Sequence, residues 1–432
     1  MQRKEAPADL SNATPITIAS RMRRARRIPT YQDGEEAKSF DSATRIFSSV
    51  AARDILAPLA ASRIVLVLVA WLGFHLLQLP FKNTKWEVAT NGNRHDIAGH
   101  VSTNAHPFVN MWARWDGGWY LDIAKHGYSL VPGKQSSVAF FPLYPYLIRW
   151  IHDLIPLSHD AGWLLIGIII SNASLLVGLT YFYALVLLDF DRRTAARAVL
   201  YLCVFPTTLF LSAVYSESLF IALVVSAFYY ARTRRWVVAG VLATAAALCR
   251  APGVLLVIPL ALEYLSQKRF QWRQIGPDFL ALILAPIALA GHLAFLRWRF
   301  GAWNVISQSE ATKGWNRHLT LPLETIVHSF QSMNSWKGAS ELLFTIAMLG
   351  LVFFACLRLR PSYAVYAVVS LLFITSWGAL TSAPRLGIVI FPFVIALALL
   401  GRNKTFNRAY LVFSAVLAAV AMVLFSQWGW VA

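Results

Sequence analysis

The chain has too few charged residues to cover a surface that faces water. Of its 432 residues only 14% are charged, whereas 57% are hydrophobic; soluble domains carry about 25% charged residues. Acidic residues are especially scarce, because 21 Asp and Glu accompany 39 Lys and Arg. Together with a mean hydropathy of +0.53, this shortage excludes an ordinary soluble globular protein and predicts an all-α polytopic membrane protein.

Cysteine and several cofactor-binding patterns are also scarce or absent. The three cysteines, Cys203, Cys249 and Cys356, lie far apart in apolar surroundings, which excludes a disulfide scaffold and a thiolate metal cluster. The ten histidines form no His-Glu-x-x-His motif, and the sequence contains no Walker A or dinucleotide-binding glycine pattern. We therefore expect no bound metal and no cofactor, and a nucleotide-driven pump is disfavoured.

The positions of the basic residues explain the net charge of +18. Basic clusters fall in short loops between apolar runs, as at residues 192–193, 232–235 and 358–360. This is the positive-inside pattern of membrane proteins. It favours a topology signal over nucleic-acid binding, so membrane lipids are predicted as partners and no nucleic acid is.

Two polar regions interrupt the apolar sequence. Residues 1–57 contain the basic run 21–27 and lack the apolar core of a signal peptide, so they predict a flexible basic cytoplasmic tail. Residues 58–432 predict a transmembrane domain with about 11–12 membrane segments. Within it, residues 81–139 and 299–340 predict two large loops outside the membrane, which together could cover a site.

The number of crossings between the tail and residues 192–193 is open. Both regions are predicted to be cytoplasmic, so an even number of crossings must separate them. Three apolar stretches lie between them, at 62–79, 140–157 and 161–188. Either 140–157, which contains several prolines, does not cross, or 161–188 contains a break.

The densest group of polar and aromatic residues lies in the first outside loop. A short interfacial helix is predicted from Trp119 to His126, with Gly127 as its C-cap. Asp116 lies just before this helix, where it is either an N-cap or a general base. A carboxylate held between Trp115 and Trp119 at the boundary of water and lipid can take a proton from a hydroxyl acceptor while a lipid-linked donor approaches from the bilayer.

The order of several motifs resembles one family. Residues 115–128 and 139–145 look like the paired signatures of the PIG-V family, the second mannosyltransferase of glycosylphosphatidylinositol assembly, and of its prokaryotic relatives. Three later stretches are also similar, at 212–220, 248–253 and 382–385. By this resemblance the chain is identified as a prokaryotic-type member of the family.

The resemblance implies a GT-C glycosyltransferase fold, in which a multi-spanning enzyme uses a polyprenyl-phosphate sugar. It implies a β-linked mannosyl donor, inverting transfer to a hydroxyl of a glycolipid or other glycan acceptor, and no obligatory metal. Asp116 would be the catalytic base. Arg250 and Arg385 would bind the donor phosphate, because a guanidinium can donate two parallel hydrogen bonds to phosphate oxygens.

Other residues near these motifs are candidates for substrate binding. They are Trp115, Trp119, Tyr120, His126, Tyr215 and Glu217. Glu217 lies at the predicted outside end of an apolar stretch, where acidic residues are costly; it orients an arginine, hydrogen-bonds a sugar hydroxyl or forms a structural ion pair. For Arg250 and Arg385 the alternative is a snorkelling or ion-paired residue at a helix end.

Two alternatives to mannosyl transfer remain. A GT-C transferase could use a different polyprenyl-linked sugar, and a non-enzymatic lipid or sugar transporter would have similar hydropathy. Transporters usually place ionisable residues near the bilayer midplane and have related halves, whereas here the notable acid is in a loop. The sequence favours a multi-pass transferase of the prokaryotic plasma membrane, with a cytoplasmic N-terminus and an active site on the outer face.

Overall fold

The structure is a computed structural model, and it describes residues 49–77, 107–155, 157, 160–313 and 315–431. These residues form helices and connecting segments, and no strand occurs among them. The all-α architecture predicted from hydropathy is confirmed. Most of the predicted tail, residues 1–48, and residues 78–106 of the first predicted outside loop lie outside the described residues.

The α-helices have the following bounds. They are α1 (Ser49–Leu76), α2 (Pro107–Asn110), α3 (Asp116–His126), α4 (Leu143–Leu154), α5 (Asp160–Leu187), α6 (Arg192–Cys203), α7 (Glu217–Arg232), α8 (Trp236–Cys249), α9 (Val257–Gln267), α10 (Leu284–Phe300), α11 (Val305–Glu310), α12 (Pro322–Gln331), α13 (Trp336–Arg358), α14 (Pro361–Thr375), α15 (Ala383–Gly387), α16 (Phe391–Leu400) and α17 (Lys404–Ser426). Short 3₁₀ helices lie at Ser137–Ala139, Thr208–Leu211, Ala251–Leu256, Trp272–Gln274 and Pro277–Ile283.

Five helical segments of the described chain are long and apolar enough to cross a membrane. They are Ala51–Leu76, Ala161–Leu187, Pro277–Phe300, Trp336–Arg358 and Lys404–Ser426. Four shorter apolar helices, of 10–17 residues each, fall below the roughly 20 residues that a straight crossing requires. The chain is therefore a multi-pass membrane protein, and the total of about 11–12 segments stays a prediction.

The lengths of α4 and α5 bear on the two readings of the stretches 140–157 and 161–188. α4 has 12 residues and is about 18 Å long, well short of a hydrocarbon core of roughly 30 Å. α5 is a single helix of 28 residues. The stretch 140–157 therefore does not cross as a straight helix, and 161–188 contains no break. Among the described residues before α6, α1 and α5 are thus the two helices long enough to cross, and the number of crossings stays a prediction.

Helix α7 packs against α5 and α8. Twelve of its 16 residues are buried. At 1.5 Å per residue, its two ends are about 22 Å apart. Glu217 begins the helix and Arg232 ends it. Each end therefore places one charged side chain inside the protein, in a different region.

The chain breaks between α8 and α9, where a motif residue is located. Arg250 has extended backbone, with φ −154° and ψ 149°, and Pro252 lacks the N–H that a continuing α-helix would use. A Cβ on Gly253 would lie 2.1 Å from the carbonyl oxygen of Ala246, so only glycine permits this close approach. The break turns the Arg250 side chain toward the interior at the end of α8.

Candidate functional site

A cavity of about 520 Å³ gathers residues from distant parts of the sequence. The predicted site residues that line it are Trp115, Asp116, Trp119, Tyr120, Arg250 and Arg385. Asp116 and Arg385 are 269 positions apart along the chain, yet their side chains touch. The fold therefore brings the predicted base and both predicted phosphate ligands into one chamber.

Asp116 and Arg385 form an ion pair at this cavity. Nη1 of Arg385 donates a hydrogen bond to Oδ2 of Asp116 over 2.5 Å. The Asp116 side chain is 20% exposed and the Arg385 side chain is 9% exposed. The guanidinium also lies 5.4 Å from the ring centre of Phe210 and 5.3 Å from that of Tyr215, where aromatic faces stabilise a cation. These contacts fix Arg385 beside the carboxylate.

Glu217 links Arg385 to Arg250. Its Oε1 lies 2.7 Å from Nη1 of Arg250 and 3.4 Å from Nε of Arg385. The side chain has no exposed surface, and among the described residues its Oε2 has no hydrogen-bond partner. A buried carboxylate requires nearby cations, so the two arginines account for its position. The charges alternate in the order Asp116, Arg385, Glu217, Arg250.

The backbone is unusual directly before the two helices that carry the partners of the central ion pair. Trp115 has φ 53° and precedes Asp116, and Ser382 has φ 68° and precedes α15, which carries Arg385. Positive φ is uncommon for residues other than glycine and clusters at functional sites. Local strain is therefore present at both segments that aim these side chains at each other.

Asp116 does not act as the N-cap that the sequence allows. α3 begins at Asp116 itself, its N-cap residue is Trp115, and no side chain caps it. The predicted start at Trp119 is too late because Gly117 and Gly118, which disfavour helices in isolation, are buried by tertiary packing. The C-terminal prediction is confirmed: Gly127 has φ 82° and its N–H donates to the carbonyl of Ile123.

Tyr120 and Tyr215 support the ion pairs through hydrogen bonds. The hydroxyls of Tyr120 and Ser216 lie 2.8 Å apart, and Arg250 donates to the same serine over 3.2 Å. The Tyr215 hydroxyl accepts from the backbone N–H of Asp116 at 3.1 Å and donates to the carbonyl of Arg114 at 3.0 Å. Tyr215 is almost wholly buried, so it holds the start of α3 from behind the cavity.

Three predicted substrate ligands, His126, Tyr215 and Glu217, are not among the residues that line the cavity. Tyr215 and Glu217 contact site residues that do line it, whereas His126 pairs with Asp122. Nδ1 of His126 lies 2.8 Å from Oδ1 of Asp122, and the His126 side chain is 62% exposed. It ends α3, about 15 Å along the helix axis from Asp116. Because the helix turns it away from the cavity lining, its position agrees with the alternative role at a helix C-terminus.

The irregular segment before Glu217 is held by buried polar contacts. Arg63 of α1 donates to the carbonyls of Cys203 and Thr208, each over 3.2 Å, and to the Ser212 hydroxyl over 2.8 Å. Ser171 of α5 donates to the carbonyl of Ala213 over 2.7 Å. These bonds satisfy backbone groups that no helix uses, and they fix the approach to Glu217.

The two loops predicted to lie outside the membrane contact each other at the cavity. The backbone N–H of Ser136 donates to the Ser309 hydroxyl over 2.9 Å. Ring centres of Trp315 and Trp119 are 6.0 Å apart, and those of Trp315 and Phe140 are 5.8 Å apart. The second loop therefore forms part of the chamber wall that contains the predicted catalytic motif.

Sequence reasoning missed a second ion pair in the chamber. Arg317 lies 3.3 Å from Glu310 and donates to the carbonyl of Thr381 over 3.2 Å, next to the segment that carries Arg385. Burial is the largest influence on Glu310 and raises the pKa of its carboxyl, although Arg317 opposes that rise. Acidic residues are rare in this predicted outside loop, and that rarity is the signal that could have identified Glu310.

The chemistry available to the chamber follows from its side chains. A carboxylate at the wall can accept a proton, two guanidiniums can bind phosphate oxygens, and aromatic faces can contact a sugar ring. Among the described residues, no group of three or more His, Cys, Asp or Glu is placed to hold a metal ion. The arrangement suits an acid–base reaction on a phosphate-bearing substrate.

Comparison with protein families gives a match that includes most of this site. A family model described as Mannosyltransferase (PIG-V) matches residues 55–273, just over half of the chain. The matched region contains Asp116, Glu217 and Arg250, whereas Arg385 lies beyond it.

Curated relatives match over shorter regions. GPI mannosyltransferase 2 of Drosophila pseudoobscura pseudoobscura is 34% identical over 112 residues, which cover 24% of this chain and 24% of that protein. GPI alpha-1,6-mannosyltransferase 2 of Rattus norvegicus is 30% identical over 166 residues, which cover 37% of this chain and 33% of the relative. The chain thus spans between about a quarter and a third of the length of these relatives.

Solved membrane enzymes resemble the chain at low sequence identity. ArnT from Cupriavidus metallidurans, bound to undecaprenyl phosphate, has a TM-score of 0.44 at 14% identity, with 72% of this chain and 70% of that chain covered. The oligosaccharyltransferase AglB from Archaeoglobus fulgidus, in complex with an inhibitory peptide and a dolichol-phosphate, has a TM-score of 0.41 at 13% identity, with 86% and 55% covered.

Proposed function

The chain belongs to the Mannosyltransferase (PIG-V) family, and from that premise we propose that it transfers mannose from a polyprenyl-phosphate-linked donor to a hydroxyl of a lipid-linked glycan or other glycan acceptor. The observation that supports this proposal best is the alternating series of Asp116, Arg385, Glu217 and Arg250. It puts a proton acceptor next to a pair of phosphate-binding groups inside one cavity.

Arg250 and Arg385 bind the donor phosphate. Both guanidiniums reach the cavity, and Glu217 holds them on one side, which leaves their remaining N–H groups available to phosphate oxygens. A guanidinium matches phosphate geometry better than an ammonium does. Glu217 therefore acts as the positioning residue that keeps the two cations at a shared ligand despite their mutual repulsion.

Donor binding also prepares the base. Asp116 is paired with Arg385 over 2.5 Å. A donor phosphate competes for the same guanidinium and adds negative charge beside the carboxylate. The phosphate therefore draws Arg385 away from Asp116, and the carboxylate becomes free to accept the hydrogen of the acceptor hydroxyl.

The transfer step is an inverting displacement. Asp116 takes the proton of the acceptor hydroxyl, and the acceptor oxygen forms a bond to the anomeric carbon on the face opposite the phosphate. The bond between that carbon and the phosphate oxygen breaks, and its electron pair leaves with polyprenyl phosphate. Arg250 and Arg385 stabilise the negative charge that develops there. A β-linked donor gives an α-linked product.

Aromatic residues bind the sugar next to these charged groups. Trp119 and Tyr120 of α3 line the cavity with Trp115, and the Trp119 ring stacks on Phe140 with 6.0 Å between ring centres. An aromatic face can pack against the C–H groups of a pyranose, while hydroxyls at its edge remain free for hydrogen bonds. The chain itself supplies this positioning and the acid–base chemistry, with no metal or cofactor in the proposed step.

The same reasoning assigns an orientation. Basic loops flank the membrane helices, as at Arg192 and Arg193, and positive loops remain on the cytoplasmic side. Arg232, at the end of α7, pairs with Asp189 close to these loop arginines, whereas Glu217 begins the helix at the other end, near Asp116. When the loop is cytoplasmic, Asp116 therefore faces the non-cytoplasmic side. The proposed location is the prokaryotic plasma membrane, with a cytoplasmic N-terminus and an active site on the outer face. The GT-C fold implied by the sequence resemblance is part of this proposal.

The test is transfer by the purified, full-length protein in lipid nanodiscs. Polyprenyl-phosphate-mannose is supplied with a panel of glycolipid and peptide acceptors, and mass spectrometry measures product and released polyprenyl phosphate. We expect a mannosylated acceptor and an equal amount of polyprenyl phosphate. If product formed only with polyprenyl-phosphate-glucose or polyprenyl-phosphate-arabinose, the donor sugar would be glucose or arabinose and not mannose. Sugar-dependent flux across the membrane of protein-containing liposomes, without any glycosylated product, would contradict the enzymatic proposal and would indicate a transporter.

A further inference from the structure

The tryptophans of the described residues include two contrasting groups. The exposed ones are Trp71, Trp150, Trp272, Trp298, Trp303 and Trp336, between 42% and 80% exposed, as expected for an aromatic belt at a membrane interface. The second group lines the cavity and consists of Trp115, Trp119, Trp315, Trp377, Trp428 and Trp430. None of the second group is exposed, so their position needs a reason other than contact with lipid headgroups.

Three of these indoles form a wall beside the proposed base. The ring centre of Trp115 is 5.2 Å from that of Trp430 and 6.1 Å from that of Trp428, both edge to face. The guanidinium of Arg114 lies 4.6 Å from the ring centre of Trp428, and Nζ of Lys337 lies 4.6 Å from that of Trp430. We call Trp115, Trp428 and Trp430 the indole wall.

The wall carries an unused hydrogen-bond donor. Among the described residues, Nε1 of Trp430 is buried and has no hydrogen-bond partner. Leaving a buried donor unpaired is costly, whereas a ligand that accepts from it recovers that cost. A hydroxyl or another oxygen of a bound molecule would fulfil this role.

The indole wall lies on the acceptor side of the proposed reaction. Asp116 is the last member of the charge series, and Arg250 is at the other end. In an inverting transfer the acceptor and the leaving phosphate approach opposite faces of the donor sugar. Because Asp116 takes the proton of the acceptor hydroxyl in the proposed reaction, the acceptor must reach Asp116, whose preceding residue, Trp115, belongs to the wall.

We propose that the indole wall is a binding subsite for a sugar ring of the acceptor. The C–H face of a pyranose packs against the indole faces of Trp428 and Trp430, and a hydroxyl or ring oxygen accepts from Nε1 of Trp430. This inference rests on the proposed function and extends it, since it assigns the residues that recognise a sugar ring of the acceptor. Trp428 and Trp430 lie beyond the matched family segment, whereas Trp115 lies within it.

The alternative occupant is the isoprenoid chain of the donor. That chain has no atom to accept a hydrogen bond from Trp430, and it gains nothing from the cations of Arg114 and Lys337 at the wall. A sugar offers oxygens to the unused N–H and apolar C–H faces to the rings. The chemistry of the wall therefore favours a carbohydrate.

The test uses the full-length protein in nanodiscs with methyl α-D-mannopyranoside as the sugar probe. Saturation-transfer NMR measures binding of this probe, and a separate titration measures undecaprenyl phosphate. Trp430→Phe removes the N–H and keeps an aromatic ring, and Trp428→Ala removes a ring face. Trp298→Phe, at an 80% exposed position, is the matched control.

We expect Trp430→Phe to weaken probe binding by about 2- to 10-fold, the value of one hydrogen bond. Trp428→Ala should weaken it further, while both variants bind undecaprenyl phosphate as the parent does and the control changes neither. Weaker undecaprenyl phosphate binding with unchanged probe binding would assign the wall to the lipid chain and overturn the proposal. Unchanged probe binding in both variants would overturn it as well.

This design separates the subsite from the proposed reaction. If the parent protein transfers mannose but the wall variants retain the acceptor KM, the reaction stands and the subsite is wrong. If the parent binds the probe through the wall but transfers no sugar to any acceptor, the subsite stands and the proposed function is wrong.

Discussion

Two buried networks with the same ionic composition lie at the two ends of α7. The site network consists of Asp116, Glu217, Arg250 and Arg385. The second network consists of Asp189, Arg232, Glu263 and Arg360. Each contains two carboxylates and two guanidiniums, yet only the site network contributes residues to the large cavity.

The networks differ in how completely their carboxylates are hydrogen-bonded. In the second network, Arg232 contacts Asp189 over 2.5 and 2.9 Å, and the Tyr363 hydroxyl donates to the same carboxylate over 3.1 Å. Glu263 accepts from the Ser362 hydroxyl over 2.7 Å and from Arg360 over 3.2 Å. Both acids therefore have fixed neutral and charged donors around them.

In the part of the chain that the structure describes, the carboxylates of the site network have no such neutral side-chain donors. Within the described residues, Oε2 of Glu217 has no hydrogen-bond partner, and the Asp116 side chain has Arg385 as its hydrogen-bond donor and an open side at the cavity. Buried charges with unfilled hydrogen-bonding capacity are costly. Two carboxylates and two guanidiniums thus form a structural network at one end of α7. The same residue types form a site that is accessible to a ligand at the other end.

The sharpest test of this contrast is the replacement of each network's aspartate by asparagine. We expect Asp116→Asn to lower the transfer rate by about 10²–10⁴-fold, because a general base contributes that much, while shape and folding are kept. Asp189→Asn should lower the melting temperature and leave turnover of the folded protein nearly unchanged. Initial rates from mass spectrometry and thermal unfolding of each variant measure the two effects.

Asp122→Asn is the matched control for the first change. Asp122 lies on the same helix as Asp116 and pairs with the exposed His126, so its loss should leave transfer within about two-fold, as for exposed ion pairs. Near-parental transfer by Asp116→Asn would remove the base from the mechanism and would make the two networks functionally alike.

Arginine-to-lysine changes should give the next largest effect. Arg385→Lys and Arg250→Lys keep the charge but lose the planar fork, so we expect kcat/KM for the donor to fall by about 10–100-fold, equivalent to one or two charge-assisted hydrogen bonds. The inhibition constant of undecaprenyl phosphate should rise in parallel. Arg232→Lys is the counterpart in the second network and should affect thermal stability alone. Equal kinetics in all three variants would assign every arginine to structure.

The members of the site network were identifiable from the sequence, but their pairing was not. Glu217 attracts attention because an acidic residue at membrane depth is costly unless it is used. Asp116 stands out by its place among the tryptophans of the first outside loop, whereas the roles of Arg250 and Arg385 were implied by the family resemblance. Which cation meets which acid depends on contacts between segments up to 269 positions apart. Helical periodicity and local motifs contain no information on such contacts.

The helical fold was predictable for similar reasons, and the cavity wall was not. Long apolar stretches such as the one that became α5 require helices in lipid. Trp428 and Trp430, however, follow an apolar helix, a position typical of interfacial tryptophans, and only the packing against Trp115 reveals that they point inward. The start of α3 was misjudged because tertiary burial outweighed the low helix propensity of two glycines.

Glutamate-to-glutamine changes refine the comparison. Glu263→Gln breaks a buried ion pair, and we expect the melting temperature to fall by roughly 3–10 °C with turnover of the folded protein kept. Glu217→Gln leaves Arg250 and Arg385 without the carboxylate between them, so turnover should fall about 10-fold and undecaprenyl phosphate should bind more tightly. Calorimetry and ligand titration separate the two outcomes. A fall in turnover from Glu263→Gln as large as that from Glu217→Gln would contradict the division of roles.

The smallest effect is expected at Glu310, whose pair with Arg317 lies in the chamber but outside both networks. Because burial raises the pKa of this carboxyl in the folded protein, the folded state holds the proton more tightly than the unfolded state does. Its contribution to stability is therefore full below the ordinary glutamate pKa of about 4.3 and is lost as pH rises through the raised value.

Glu310→Gln should remove this part of the pH dependence, so its melting temperature should fall less than the parent's between about pH 4 and pH 7. Transfer at neutral pH should stay within about two-fold, since the side chain takes no part in the proposed proton transfer. If the melting temperatures of parent and variant changed in parallel across that range, the assigned contribution of Glu310 to stability would be wrong. A large loss of transfer would place Glu310 with the site network.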